Sequence, residues 1–260
     1  MRQLDDYRMI ALKAARIAGG FLAKNYGRVI EMEYDGLTGH CSVKEDKESD
    51  LLYKDYLKQI TPEIGFYTEE GKKDVDSELV WAIDSLDGTS NYRMGLSFFA
   101  TQISLLVKND PVVCVIYNPV LGQEYTAIKG EGAFLNGEKI FVSDIREVEK
   151  SMLLQDKGVA KASVAGKFLE ALGDRVRTAR MFGGSTGMDL ALVASGRAEI
   201  TINPRANIYD FVPGVLLVRE AGGVVFNLKG EEWTINDDNL VASNKYLMPK
   251  VLEIIKRVSI

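Results

Sequence analysis

Apolar residues recur every three or four places through the first sixty positions and then, from Leu79 onward, gather in short compact runs. That change of period requires helices at the start of the chain and a sheet behind them. Leu4, Tyr7, Ile10, Ala11, Ala14, Ile17, Ala18, Phe21 and Leu22 keep the spacing of an amphipathic helix that faces a core, with Gly27 as its stop. Helical spacing resumes over Glu48 to Ile60, and Pro62 closes it. Leu79 to Ile83 is an unbroken apolar run that ends abruptly in Asp84-Ser85-Leu86-Asp87-Gly88-Thr89, the pattern of a buried strand opening into a turn. Phe98 to Val107, Val112 to Asn118 and Gln123 to Lys129 read as an antiparallel meander, with Lys108-Asn109-Asp110 and Asn118-Pro119 as turns. Gly130-Glu131-Gly132 and Asn136-Gly137 add tight turns around Ala133-Phe134-Leu135. The remainder alternates: helices near Ala160 to Leu172, Ser185 to Ser195, Asp210 to Ala221 and Lys245 to Val258, and strands Ala198 to Asn203, Val224 to Asn227 and Leu240 to Ala242. This predicts a second α/β layer packed on the first half, with the division at 1–145 and 146–260.

At 260 residues and 46% hydrophobic, the chain can bury a large core. A net charge of −5 provides no cationic field to hold nucleic acid or an anionic membrane, so an anionic substrate must be held locally. Two cysteines, Cys41 and Cys114, with no CxxC pair and no secretory leader, point to a reducing compartment and a cytoplasmic protein. The longest apolar runs, such as Val112 to Tyr117, are far shorter than the roughly 20 residues of a membrane helix. A single histidine, His40, excludes histidine metal cages and most Ser-His-Asp arrangements, and beside Cys41 it makes at most two soft ligands, which reads as structural. Lys44, Lys47, Lys54 and Lys58 are interleaved with acids and read as a solvated helix face. In an enzyme of this composition, carboxylates must do the chemistry.

Asp84 and Asp87 stand three apart where a buried strand meets Gly88 and Thr89. Carboxylates clustered on a short turn repel each other unless a cation lies between them, and oxygen-only ligands suit Mg²⁺ or Mn²⁺ better than zinc. Gly88 lets the backbone approach a ligand, and Thr89 can present amides to an anion. The competing reading makes Asp84 a helix cap and Asp87 an ordinary turn residue. Acidic punctuation recurs at Thr68-Glu69-Glu70-Gly71 and at Tyr209-Asp210, where Asp210 could equally be a plain N-cap. Gly183-Gly184-Ser185-Thr186 either binds an anion through its amides or is only a turn and cap.

Taken together, Thr68-Glu69-Glu70-Gly71, the run Trp81-Ala82-Ile83-Asp84-Ser85-Leu86-Asp87-Gly88-Thr89-Ser90-Asn91-Tyr92, and Tyr209-Asp210-Phe211-Val212-Pro213-Gly214 continuing to Gly222-Gly223 resemble the inositol monophosphatase family of metal-dependent phosphomonoesterases. The stretches Gly130 to Gly137 and Leu192 to Ala198 support the match, which runs along nearly the whole chain. The resemblance implies an α/β (α+β) fold, a layered αβαβα sandwich, and a cytoplasmic homodimer acting on a small phosphorylated metabolite with two to three Mg²⁺ ions, Mn²⁺ being possible. It implies that Glu69, Asp84 and the Leu86 carbonyl hold the first ion, and Asp84, Asp87 and Asp210 the second. A third, weaker ion would share Glu69. Thr89 and Asp46, the latter in Ser42-Val43-Lys44-Glu45-Asp46, would orient and deprotonate the attacking water; the Gly88 and Thr89 amides would receive the phosphate; Gly184 and Thr186 would lie near the substrate alcohol. On this assignment Asp87→Asn abolishes turnover and leaves the fold intact.

Departures from the family pattern bear on substrate. Ser85 stands where proline is usual, and Asn203 stands where inositol enzymes place a glutamate that contacts substrate hydroxyls. Arg205, two positions on, either pairs with a second phosphate or carboxylate or is a solvated loop cation. The family's mobile-loop lysine is not found at its spacing; Asp35 occupies the position. Fructose 1,6-bisphosphate, histidinol phosphate and a 3′-phosphoadenosine nucleotide therefore stand beside inositol phosphate as substrates. A rival of another class is a regulatory, partner-binding protein that retains the phosphatase fold; the intact acidic set speaks against it, and the net charge speaks against direct RNA binding.

Overall fold

The amphipathic pattern at the start of the chain produces α1 (Leu4–Asn25), and after the short antiparallel pair β1 (Glu33–Tyr34) and β2 (Cys41–Ser42) comes α2 (Lys44–Ile60). The structure is a computed structural model that describes residues 3–28, 33–34, 41–69, 77–155, 161–181 and 184–258. His40, Asp35, Glu70, Gly71 and Gly183 lie outside the described residues. Behind the two helices, β3 (Gly65–Thr68) and β4 (Leu79–Asp87) run parallel, α3 (Thr89–Arg93) follows, and β5 (Ala100–Val107), β6 (Asp110–Asn118), β7 (Gln123–Ile128), β8 (Gly132–Leu135) and β9 (Glu138–Ile140) continue antiparallel as one seven-stranded sheet.

Residues 152–244 build a second sheet from β10 (Met152–Gln155), β11 (Thr178–Arg180), β12 (Ile200–Asn203), β13 (Gly223–Phe226) and β14 (Leu240–Asn244), in the order β11-β10-β12-β14-β13. Its helices are α4 (Ala162–Gly173), α5 (Thr186–Ala194), α6 (Ile208–Glu220) and α7 (Met248–Ile255).

Period-two alternation then sorts side chains into layers. Trp81, Ile83, Ile103, Leu105, Val113 and Val115 face Ala11, Ala14, Ala15 and Ala18 of α1 and Tyr53 and Leu57 of α2. Their neighbours Val80, Ala82, Cys114 and Ile116 face the opposite way, onto α5 and α6. In the second sheet Leu154 and Ala242 turn to α5 and α6, while Leu153 and Val241 turn to Phe168 and Leu172 of α4 and Val251 and Ile255 of α7. The result is the αβαβα sandwich. The middle layer draws on both halves of the chain, so residues before and after 145 share one core cluster. Glu220, in the last turn of α6, accepts hydrogen bonds from the amides of Gly130 (2.8 Å) and Gly132 (2.9 Å), pinning the glycine turn between β7 and β8 to the central helix layer.

Where the structure departs from the periodicity, the causes are local. α2 begins at Lys44 instead of Glu48, because the Asp46 carboxylate accepts the Val43 amide at 2.7 Å and stabilises an extra turn. α6 begins at Ile208 with Asn207 as its cap, so Asp210 lies inside the first turn. β3, β10 and β11 were not expected; each is only three or four residues long. No helix among the described residues is long and apolar enough to cross a membrane.

Candidate active site

The acidic turn arises where β4 and β5 lose register between Asp84 and Asp87. Such an irregularity re-aims side chains at the end of a strand. Gly88 then reverses the chain at φ +98°, and a Cβ there would lie 3.0 Å from the Gly184 carbonyl oxygen and 3.1 Å from the Phe99 and Ser185 side chains, so only glycine fits. The turn leads into Thr89 at the start of α3. The Thr89 hydroxyl lies 3.3 Å from Asp46 Oδ1 and 3.1 Å from the Leu86 carbonyl oxygen, two acceptors for one proton.

Asp84 is buried at the end of β4, and Asp210, partly buried in the first turn of α6, lies near enough for the charge of Asp84 to act on it. Asp84 Oδ1 accepts the Leu86 amide at 3.1 Å, and Asp210 Oδ2 accepts the Asn207 amide at 2.7 Å. Burial and then the charge of Asp87 push the Asp84 carboxyl up to about 7. Burial and then the charges of Asp84 and Asp87 hold Asp210 well above the usual carboxylate range, and Glu69, at the end of β3, adds to the repulsion.

Asp87 is turned elsewhere. Its Oδ2 accepts the Ser185 hydroxyl (2.8 Å) and the Gly187 amide (2.7 Å), and its Oδ1 accepts the Thr186 amide (3.0 Å), so it caps α5 from the far half of the chain. Thr186 Oγ1 in turn accepts from Asn203 Nδ2 at 2.8 Å, and Asn203 Oδ1 accepts the Arg205 amide at 3.0 Å. Asp87, Thr186 and Asn203 thus form one buried chain of bonds beside Asp84. Arg205 does not join it: its guanidinium is exposed and sits 3.6 Å from Asp238. Gly184, at φ +81°, is exposed above Gly88.

Two participants went unrecognised in the sequence. Gly187 joins Ser185, already read as part of a turn and cap, as a partner of Asp87. Gln102, buried on β5, donates through Nε2 to Asp84 Oδ2 (3.5 Å) and to the Asp210 carbonyl (3.3 Å), tying β4 to α6. Its only signal is a polar run, Thr101-Gln102 and Ser104, inside an otherwise apolar strand.

Among the described residues no three ligating side chains converge on a single point, and Asp87 faces α5. The donor set nevertheless fits a hard divalent cation. The charges acting on Asp84 and Asp210 are those of other carboxylates, and the buried Gln102 Oε1 beside them has no hydrogen-bond partner. Oxygen donors crowded in this way are stabilised by a cation and destabilised by its loss.

A pH dependence follows. Asp84 and Asp210 bind a proton more tightly in the folded chain than in the unfolded one, whose carboxylates titrate near pH 4. The stabilising contribution of Asp84 is therefore whole below about pH 4 and lost as pH rises through about 7, and Asp210 acts in the same direction. With chelator present, the Tm is expected to fall by several degrees between pH 5 and pH 8, and added Mg²⁺ to restore it more at pH 8 than at pH 5. A chelated protein whose Tm climbs over this interval contradicts the raised carboxyls.

Residues 3–259 match the family model described as the inositol monophosphatase family. The chain belongs to the inositol monophosphatase family. Membership makes it a phosphoric monoester hydrolase by descent and accounts for the layered fold. Family relatives include an inositol monophosphatase of Mesembryanthemum crystallinum, 30% identical with 98% of this chain and 97% of that protein covered. The Nus factor SuhB of Salmonella typhimurium is 32% identical over 94% of this chain and 93% of its own length. Among solved structures of the family, the extragenic suppressor protein SuhB of Bartonella henselae superposes with a TM-score of 0.90 at 30% identity, covering 98% of this chain and 99% of that one. The Thermotoga maritima IMPase superposes with a TM-score of 0.89 at 28% identity, covering 99% and 98%.

Proposed function

We propose that this family member is a Mg²⁺-dependent phosphomonoesterase that hydrolyses a small sugar or polyol phosphate by direct attack of water. The observation that carries the reading is the group of mutually repelling carboxylates, Asp84, Asp87 and Asp210 with Glu69, gathered around the turn whose Thr89 meets Asp46 of α2. Glu69, Asp84, Asp210, Asp87 and the Leu86 carbonyl would hold two to three Mg²⁺ ions, with Mn²⁺ an acceptable substitute. Bound there, the ions would lower the pKa of water and offset charge developing on the transferring phosphoryl group and its leaving oxygen.

The chain's own residues do the rest. Thr89 donates its proton to Asp46, which leaves the Thr89 oxygen free to accept from the attacking water and aim it. The amides of Gly88 and Thr89 receive phosphate oxygens where Gly88 keeps the backbone open. Gly184 and Thr186 border the substrate alcohol. Asn203, already bonded to Thr186 and to the Arg205 amide, acts by orienting Thr186 instead of offering a carboxylate to a polyol, which weakens the case for inositol phosphate as the preferred ester. Arg205, exposed and paired only loosely, is free to swing to a second phosphate or carboxylate.

The protein is read as a cytoplasmic homodimer. Met94, Leu96 and Leu121 are exposed, and the Asn118 side chain, which donates to the Ser97 carbonyl (2.7 Å) and accepts the amides of Val120 and Leu121, ties their two segments together. An apolar patch of this kind suits a second copy of the chain. A regulatory, partner-binding role is the second reading, favoured by relatives named Nus factor SuhB.

The deciding experiment is phosphate release from inositol 1-phosphate, fructose 1,6-bisphosphate, histidinol phosphate and 3′-phosphoadenosine 5′-phosphate, with Mg²⁺ and with chelator. Mg²⁺-dependent release from one of them is expected. No release from any, by folded protein that binds Mg²⁺, moves the assignment to a phosphoester outside this panel or to the partner-binding role.

A further inference from the structure

Asp46 is joined to the acidic turn by more than the Thr89 hydroxyl. Ser85, between Asp84 and Leu86, donates its hydroxyl to the main-chain carbonyl of Asp46 at 3.0 Å. Ser49, nearly one turn further along α2, donates its own hydroxyl back to the carbonyl of Ser85 at 3.1 Å. Both side chains are buried, Ser49 completely. The two bonds run in opposite directions between the same two segments, so they fix both the distance and the rotation of the first turns of α2 relative to the end of β4. Further along, α2 is held by Leu57 in the core and by the hydrogen bond between Tyr53 and Thr101 at 2.6 Å. The serine pair therefore governs the end of the helix that carries Asp46.

That placement matters because the Thr89 proton has a choice. Asp46 Oδ1 at 3.3 Å is beyond the common O–H···O range, and the Leu86 carbonyl at 3.1 Å competes for the same proton. A small retreat of Asp46 gives the proton to Leu86 and uncouples the pair. Ser85 precedes Leu86 directly, so the same latch sets the positions of both acceptors.

We propose that Ser49 and Ser85 form a two-bond latch that positions the Asp46–Thr89 pair, making Ser85 a positioning residue at a site where a proline would supply no hydroxyl. The inference rests on the water-orienting role assigned to Asp46 and Thr89 above. Ser85 and Ser49 touch neither substrate nor the acidic oxygens; they act through Asp46.

The test compares Ser85→Ala, Ser49→Ala, the double variant and Ser85→Thr, which keeps the hydroxyl. In metal-free protein, amide hydrogen exchange in the first two turns of α2 is expected to quicken about ten-fold in each alanine variant, with the rest of the helix unchanged. With the best substrate and saturating Mg²⁺, kcat is expected to fall about ten-fold while KM and the calorimetric Mg²⁺ affinity stay within about three-fold, and Ser85→Thr is expected to recover kcat. The double variant should lose little more than either single one, since breaking one bond already frees the turn. Exchange that is unchanged in both single variants and in the double overturns the latch, whatever the enzyme does. A loss carried by KM or by Mg²⁺ affinity, with kcat intact, overturns the positioning role. Wild-type protein without Mg²⁺-dependent hydrolysis overturns the functional assignment separately, and the exchange measurement still decides whether the latch exists.

Discussion

Asp84→Asn is expected to leave the protein folded, raise its metal-free Tm at pH 8, and lower kcat by about a thousand-fold or more. The stability gain comes from the lost repulsion. An asparagine at 84 keeps an oxygen for the Leu86 amide, now 3.1 Å from Asp84 Oδ1, and its NH₂ takes the place of Oδ2, which now accepts from Gln102 Nε2, so the Gln102 amide turns to present its unpaired Oε1. One of two mutually repelling charges is gone, so Asp210 ionises at lower pH and the fall in Tm between pH 5 and pH 8 flattens. The loss of activity comes from the same change. An amide is a neutral, weaker donor to a hard cation, and removing several kcal/mol of charge stabilisation corresponds to about three powers of ten in rate. Thermal denaturation with and without Mg²⁺, beside phosphate-release kinetics, checks all parts together. The Mg²⁺-induced rise in Tm should vanish in the variant. If Mg²⁺ stabilises Asp84→Asn as much as the wild type, Asp84 is not a ligand.

What could be read from the sequence divides along contact range. Asp84, Asp87, Gly88 and Thr89 are legible because the strand, the turn and the helix start lie within a few residues of each other, and Gly88 announces the one backbone reversal that excludes a side chain. The helices of the first layer are legible because α1 and α2 each bury one face and leave the other exposed. Asp46 entered the site only through the family resemblance, and Asp210, visible as an acid before a helix, could not be told from a plain N-cap, since nothing in their local spacing says that α2 and α6 begin beside β4. The buried strands were harder to place. β5 is covered on both faces, so alternation cannot say which residues look toward α1 and which toward α6, and Gln102 passes as one more polar residue in an apolar run. Ser85 was legible as a departure from the usual proline but not as a contact, because its partner is a main-chain carbonyl on another element. Both alternatives for Arg205 stand: its amide reaches Asn203, and its guanidinium is exposed beside Asp238.

Asp87→Asn, three residues from Asp84, is expected to move stability the other way while the chain still folds. Asp87 is an acceptor for three donors at the start of α5, a helix buried over most of its length. Asparagine has one side-chain oxygen and one NH₂. If the oxygen serves Gly187 and Ser185, the NH₂ faces the Thr186 amide, donor against donor; if it serves Thr186, the Gly187 amide is left in that position. The space cannot relax around it, because a Cβ at Gly187 would already lie 2.8 Å from Asp87 Oδ2. Leaving a buried N–H unpaired and removing a negative charge from a helix N-terminus together cost about 2–4 kcal/mol, or roughly 5–10 °C in Tm for a chain of this length. The displaced start of α5 carries Thr186, and through it Asn203, away from the acidic turn. Turnover should therefore disappear together with part of the stability, and the metal-free Tm, measured beside that of Asp84→Asn, separates the two acids by sign. An Asp87→Asn protein as stable as wild type without metal would mean that its carboxylate is not held by α5 in solution, and that the turn is arranged around a cation instead.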